Sequence, residues 1–148
     1  MIKIICVGKI KEKFYREAIE EYKKRLSKYT KIEIIELKDE DKGSILEKER
    51  DSILSKIDKK DYIITLQIEG NNISSSEMAT KIENIFITNP NITFIIGGSY
   101  GLHDDIKNLS NYKLSFSKMT FPHQLIRVFL LEQLFRAFKI SKGETYHW

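Results

Sequence analysis

Three short stretches of this sequence hold residues whose types and spacing could do chemistry. In "FSKMTFP", Phe116 to Pro122, the hydroxyls of Ser117 and Thr120 stand beside Lys118 and Met119, just before a proline. Such groups, with the backbone between them, can line a small polar ligand, or can cap a helix that begins around Pro122. In "IIGGSYG", Ile95 to Gly101, glycines fall at 97, 98 and 101. That GGxxG spacing matches neither the GxGxxG dinucleotide fingerprint nor the GxxxxGK[ST] phosphate loop. It reads as a turn that needs glycine backbone angles, or as a place where a ligand meets bare backbone. The third stretch, "ITLQIEGN", sets Leu66 near the end of an apolar run. Farther on, Glu132 and Arg136 stand four residues apart, where helical spacing lets them pair. One cysteine, Cys6, and three scattered histidines, His103, His123 and His147, offer no compact metal-ligand spacing, so no metal is expected. His103 reads as a loop residue and His123 as a helix-start residue.

The elements that must position these groups follow from periodicity. Short, β-branched, turn-bounded runs predict strands at Ile2 to Val7, Ile32 to Leu37, Tyr62 to Ile68 and Ile92 to Gly97, with a weaker fifth at Tyr112 to Phe116. Helical period fills the gaps, the βαβ rhythm of an α/β fold with an open, mostly parallel sheet and helices on both faces. In the first helix Tyr15, Ala18, Ile19, Tyr22, Leu26 and Tyr29 form one stripe, with Lys13, Arg16, Lys23 and Lys24 outside it. Ser74 three residues before Glu77 predicts a capping box, opening a helix that runs to about Ile87 and stops at "TNP". The glycine turn, Leu66 and "FSKMTFP" then all sit at strand ends on one edge of the sheet, where open α/β sheets bind ligands.

The last helix is different. Leu125, Ile126, Val128, Phe129, Leu130, Leu131, Leu134, Phe135, Ala137, Phe138 and Ile140 spread around most of its circumference. A helix apolar on nearly every side must be buried on nearly every side, and the reading expects a second copy of the chain, as a homodimer, to supply part of that cover.

At 148 residues the chain is expected to be one domain, 1–148, large enough for a core of its own. The lone Cys6 excludes an intrachain disulfide framework and fits a reducing compartment, so a cytoplasmic location is expected. Lys3 within the first apolar run, and the charged helix after it, read as neither signal peptide nor membrane span. Charge is unevenly distributed: residues 1–31 carry 10 Lys or Arg against 4 Glu, 32–112 carry 9 against 15 acids, and 113–148 carry 6 against 2. Basic ends brought together would suit a polyanion such as RNA, although a lysine-rich solvated face would look the same.

"FIIGGSYGL", "LSFSKMTFPHQLIRVFLLEQLFRAFKI", the closing "GETYH" and the opening "IKIICVGKIKEKF" together resemble the bacterial ribosomal large-subunit pseudouridine N3-methyltransferases of the SPOUT class. The resemblance covers essentially the whole chain. It implies a C-terminal trefoil knot, a homodimer, S-adenosyl-L-methionine as methyl donor and a pseudouridine of 23S rRNA as acceptor. Carried across residue by residue, it places the cofactor against Leu66, Gly97, Phe116, Ser117, Lys118, Met119, Thr120 and Phe121. Removing the N3 proton of such an acceptor calls for a nearby base or a cation that favours the anion, and the groups available around the tail are Glu132, Arg136 and His147, with His147 expected as base or orienter and Arg136 as phosphate or anion partner. Trp148 departs from the pattern, since the family has a basic side chain after Tyr-His, and Phe135 stands where relatives often have tyrosine. Two rival readings are a ribosome- or RNA-binding module without catalysis and a SPOUT enzyme acting on tRNA.

Overall fold

A computed structural model of the chain describes residues 1–146. Strands and helices alternate along it: β1 (Ile2–Val7), α1 (Lys13–Leu26), β2 (Ile32–Leu37), α2 (Ile45–Leu54), β3 (Asp61–Asn71), α3 (Ser75–Thr88), β4 (Asn91–Ile96), α4 (Asp104–Leu109), β5 (Tyr112–Leu114) and α5 (His123–Ser141). The strands form one sheet in the order β2-β1-β4-β3-β5, each neighbouring pair parallel. β1 is buried at every position because it is hydrogen-bonded on both edges and covered on both faces. Its alternation divides the interior in two. Ile2, Ile4 and Cys6 join a core under α1, α3 and α5, while Ile5 and Val7 join a smaller one under α2 and α4. Burial pushes the Cys6 thiol up to about 12, so it stays a neutral packing group.

Helix α5 lies between α1 and α3. Leu130, Leu131 and Leu134 are fully enclosed, and Tyr29 of the turn after α1 stacks on Phe138 at 5.6 Å between ring centroids. More of the helix's apolar circumference is therefore covered within one chain than its sequence implies. Leu125, Ile126, Val128 and Phe129, nearer its start, remain partly exposed.

The capping box forms as expected: Ser74 Oγ accepts from the Glu77 amide at 3.0 Å, and Glu77 Oε1 accepts from the Ser74 amide at 3.1 Å. β4 is shifted by one residue from its sequence-based limits, and two other strands differ more. β3 continues to Asn71 and β5 stops at Leu114, because Leu114 pairs with both Leu66 and Asn71 while residues 67–70 bulge between them. Gly70 closes that bulge: a Cβ there would come within 2.9 Å of the Lys113 and Leu114 backbone. His103, expected in a loop, caps α4, its Nδ1 accepting from the Asp105 amide at 3.0 Å.

Two buried cations bind the layers together. Lys3 Nζ donates to Asp61 Oδ2 at 3.1 Å and to the Lys56 carbonyl at 2.8 Å, at the end of the sheet opposite the glycine turn. Arg127, 2% exposed on α5, donates through Nη2 to the Val7 and Gly8 carbonyls at 3.2 and 2.7 Å and through Nη1 to Glu36 Oε2 at 2.8 Å.

Burial alone would raise the Asp61 carboxyl, but hydrogen bonds from the Asp58 amide, Thr93 and Lys3 outweigh it and hold the group below its ordinary value. A depressed folded-state pKa gives stability that is complete above the unfolded value, about 3.9, and is lost as pH falls through the folded one. Denaturant unfolding should show Lys3→Met destabilised by about 3 kcal/mol at neutral pH, since it strands a buried carboxylate. Asp61→Asn should flatten the stability loss below pH 4; an acid limb as steep as the wild type's would show that Asp61 does not carry it.

Candidate active site

Three chain segments meet at the carboxyl edge of β3, β4 and β5 and enclose a cavity of about 280 Å³. The end of β3 contributes Leu66 and Gln67, the turn after β4 contributes Gly97 and Gly98, and the segment between β5 and α5 contributes Phe116, Ser117, Met119, Thr120 and Phe121. Ile96, Leu102, Leu114 and Ile126 make much of the rest apolar. Of the cofactor residues expected from sequence, only Lys118 lies off this wall, where it is exposed.

Local chemistry explains each wall. The glycine turn closes through the Gly101 amide donating to the Gly98 carbonyl at 3.1 Å, with Gly101 at φ +76°. A Cβ on Gly97 would lie 2.6 Å from the Gly101 carbonyl oxygen, so the turn closes only over a bare backbone. The segment after β5 is folded on itself. Ser115 Oγ donates to the Ser117 carbonyl at 2.9 Å, Ser117 Oγ accepts from the Met119 amide at 3.0 Å, and Asn72 ties down the Ser115 carbonyl at 2.8 Å. The hydroxyls of this stretch thus shape the loop more than they cap α5, whose N-cap, Pro122, makes no side-chain cap bond.

The charged groups at the rim, Glu69 and Lys107, neutralise each other at 3.2 Å. Within the wall Gln67 is nearly buried, its Nε2 bonded to Thr65 and its Oε1 without a partner. Nothing in the sequence singled it out, because a glutamine in a strand reads as an ordinary polar position. The interior is apolar with a few neutral polar groups, which suits a nucleoside better than a polyanion.

Behind the same loop, Leu114, Phe116 and Phe121 also border a second hollow of about 490 Å³, against α3 and α5. Glu132 lines it. Its Oε1 accepts from Arg136 Nε and Nη2 at 3.1 and 2.7 Å and from the Tyr146 hydroxyl at 3.4 Å, and its Oε2 accepts from Gln133 at 2.9 Å. The pair expected from the spacing is present, and the same carboxylate also meets Tyr146. Arg136 also lies over the Tyr146 ring at 4.7 Å, and Tyr146 meets Phe135 edge-on at 5.0 Å. His147 lies outside the described residues.

His123 opens α5 as expected, with its Nε2 beside Gly8, where Arg127 and Asp39 also approach. Burial, and then the Arg127 guanidinium, push its pKa down, with Asp39 opposing. Among the described residues no group of His, Cys, Asp or Glu is gathered that could hold a metal, and no helix is long and apolar enough to cross a membrane.

A family model described as predicted SPOUT methyltransferase matches residues 1–147. The chain belongs to the SPOUT methyltransferase family. Among relatives of this SPOUT chain, the putative ribosomal RNA large subunit methyltransferase H of Methanococcus maripaludis is 52% identical, over 99% of this chain and 98% of that protein. The ribosomal RNA large subunit methyltransferase H of Clostridium beijerinckii is 53% identical over the same shares. A solved structure of a probable methylase family protein from Haemophilus influenzae superposes with a TM-score of 0.59, covering 99% of this chain and 70% of that one. At 12% identity that likeness concerns the fold.

The geometry of this SPOUT turn makes a prediction that needs no ligand. Gly97→Ala should open the Gly98–Gly101 bridge and raise amide exchange at Gly101, while β4 keeps its protection. Unchanged exchange at Gly101 would mean that the turn absorbs the methyl group without opening.

Proposed function

We propose that this SPOUT methyltransferase transfers a methyl group from S-adenosyl-L-methionine to N3 of a pseudouridine in 23S rRNA, and does so as a homodimer. The observation that carries the reading is the meeting of three strand-end segments on one cavity without net charge at its rim, in a chain about half identical to proteins named ribosomal RNA large subunit methyltransferase H. The residues present fit the cofactor. Apolar side chains and a bare Gly97 can take the flat adenine, and the unpaired buried Gln67 Oε1 offers a polar contact.

When bound, S-adenosyl-L-methionine supplies an electrophilic methyl on a sulfonium; the S–CH₃ bond breaks as the N–CH₃ bond forms, leaving a thioether. The protein's part is alignment and removal of the N3 proton. In this reading Phe116 to Phe121, Lys118 included, together with Leu66 and Gly97, hold the donor. Glu132 fixes Arg136 so that its positive charge faces the RNA phosphate or the developing imide anion, and His147 takes the proton. The partly exposed Val128 and Phe129 on α5, with Met119 at 72% exposure, supply apolar surface for a second copy. A tail reaching the partner's cavity would then complete each site.

Transfer of labelled methyl to ribosomes lacking the modification should succeed, and transfer to tRNA should not; label on tRNA alone would favour the other SPOUT reading, and label on neither an RNA-binding module. His147→Ala should lower single-turnover methylation by about 10²- to 10⁴-fold with cofactor affinity unchanged. Arg136→Ala should also reduce RNA affinity and its salt dependence. If the tail acts across the dimer, heterodimers of His147→Ala and Gly97→Val chains should regain activity that neither homodimer has; verified heterodimers without activity would place the tail in its own chain's site.

A further inference from the structure

We infer that Gln67 is a specificity residue: its Oε1 accepts a hydrogen bond from a donor on the nucleoside half of the ligand in the strand-end cavity. The inference rests on the cofactor reading above, and its argument is one of hydrogen-bond direction. Ser110 Oγ lies 2.7 Å from the Tyr112 carbonyl oxygen, which can only accept, so the single Ser110 hydroxyl proton is directed there. Ser110 Oγ must then accept from Thr65 Oγ1, 2.8 Å away. With its own proton used, Thr65 Oγ1 must in turn accept at 2.7 Å from Gln67. The part of the Gln67 amide facing Thr65 is therefore its NH₂, and the carbonyl oxygen faces elsewhere.

That relay removes the usual two-fold choice of an amide side chain. Thr65 is fully buried, Gln67 is 8% exposed, and Gln67 Oε1 is buried without a partner in a residue that lines the cavity. A buried carbonyl left without a donor is costly, and a ligand donor that meets it gains the bond without first having to order the side chain. Adenosine offers two kinds of donor, the 6-amino group and the ribose hydroxyls. A 6-oxo purine presents an acceptor at the first position, and a deoxyribose lacks a donor at the second. The site would thus reject one of these two analogues, and the rejection would depend on Gln67.

The test is calorimetry with S-adenosylhomocysteine, its 6-oxo analogue S-inosylhomocysteine, and its 2′- and 3′-deoxyribose analogues. Wild-type protein should bind the parent about tenfold more tightly than either the 6-oxo or one deoxy analogue. Gln67→Met should weaken the parent by about that factor and bind the discriminated analogue equally well. Gln67→Glu, which keeps an acceptor, should retain the discrimination. Thr65→Val, at a position that does not line the cavity, should relax it by freeing the amide to turn. Thermal melting without ligand separates these effects from a loss of folding. A Gln67→Met chain that binds the parent as tightly as wild type, or that weakens all analogues by one common factor, would overturn the inference. Failure of the wild type to bind S-adenosylhomocysteine at all would instead overturn the cofactor reading, and this inference with it.

Discussion

The site depends on one buried guanidinium. Among the described residues Arg127 is the largest fully buried side chain, and removing a cation from water costs several kcal/mol unless its donors are met. Its terminal nitrogens meet two backbone carbonyls where β1 ends and the Glu36 carboxylate on β2, while Nε has no partner. Those bonds fix the first turns of α5 over the carboxyl edge of the sheet. The loop 116–121 runs from the end of β5 to the start of α5, so Arg127 sets the position of one of its ends and the β3–β5 pairing sets the other. Gly8, at φ +97°, lets the chain turn sharply beneath the guanidinium.

Loop 116–121 also forms the partition between the strand-end cavity and the hollow beside Glu132. Phe116 and Phe121 face both spaces, and Phe121 packs edge-on against Phe129 of α5 at 5.5 Å. Glu132, one turn farther along α5, accepts from Arg136, Gln133 and Tyr146. Those contacts keep a cation and Tyr146 in register along α5.

Most of the architecture was legible because it rests on local rules. The strand cores, the α1 stripe, the capping box at Ser74 and the three strand-end segments follow from periodicity and from the residues that turns and caps demand. The unread parts depend on contacts distant in sequence. Arg127 looks like one more polar residue on a helix until Val7 and Gly8, about 120 positions earlier, meet it. Lys3 looks like an interruption of a strand until Asp61 arrives. The β3 bulge needs the edge of β5 to define it, and Gln67 acquires its direction only through Ser110 and Tyr112. The short helix α4 has too few residues for a helical period to show, and His103 is an uncommon cap.

The strand order β2-β1-β4-β3-β5 governs how the chain can be made. As synthesis proceeds from the N-terminus, β1 and β2 can pair early, but the other edge of β1 waits for β4, whose first residue is Asn91. Until then one of the most apolar strands offers bare amides and carbonyls to any passing chain. The core above it stays open longer still, because α5, which follows β4 in the chain, supplies much of that core. Sequence-distant pairing of this kind folds slowly and exposes sticky intermediates. A nascent chain that has not yet reached residue 91 therefore carries an open β1 edge that the finished fold closes on both sides.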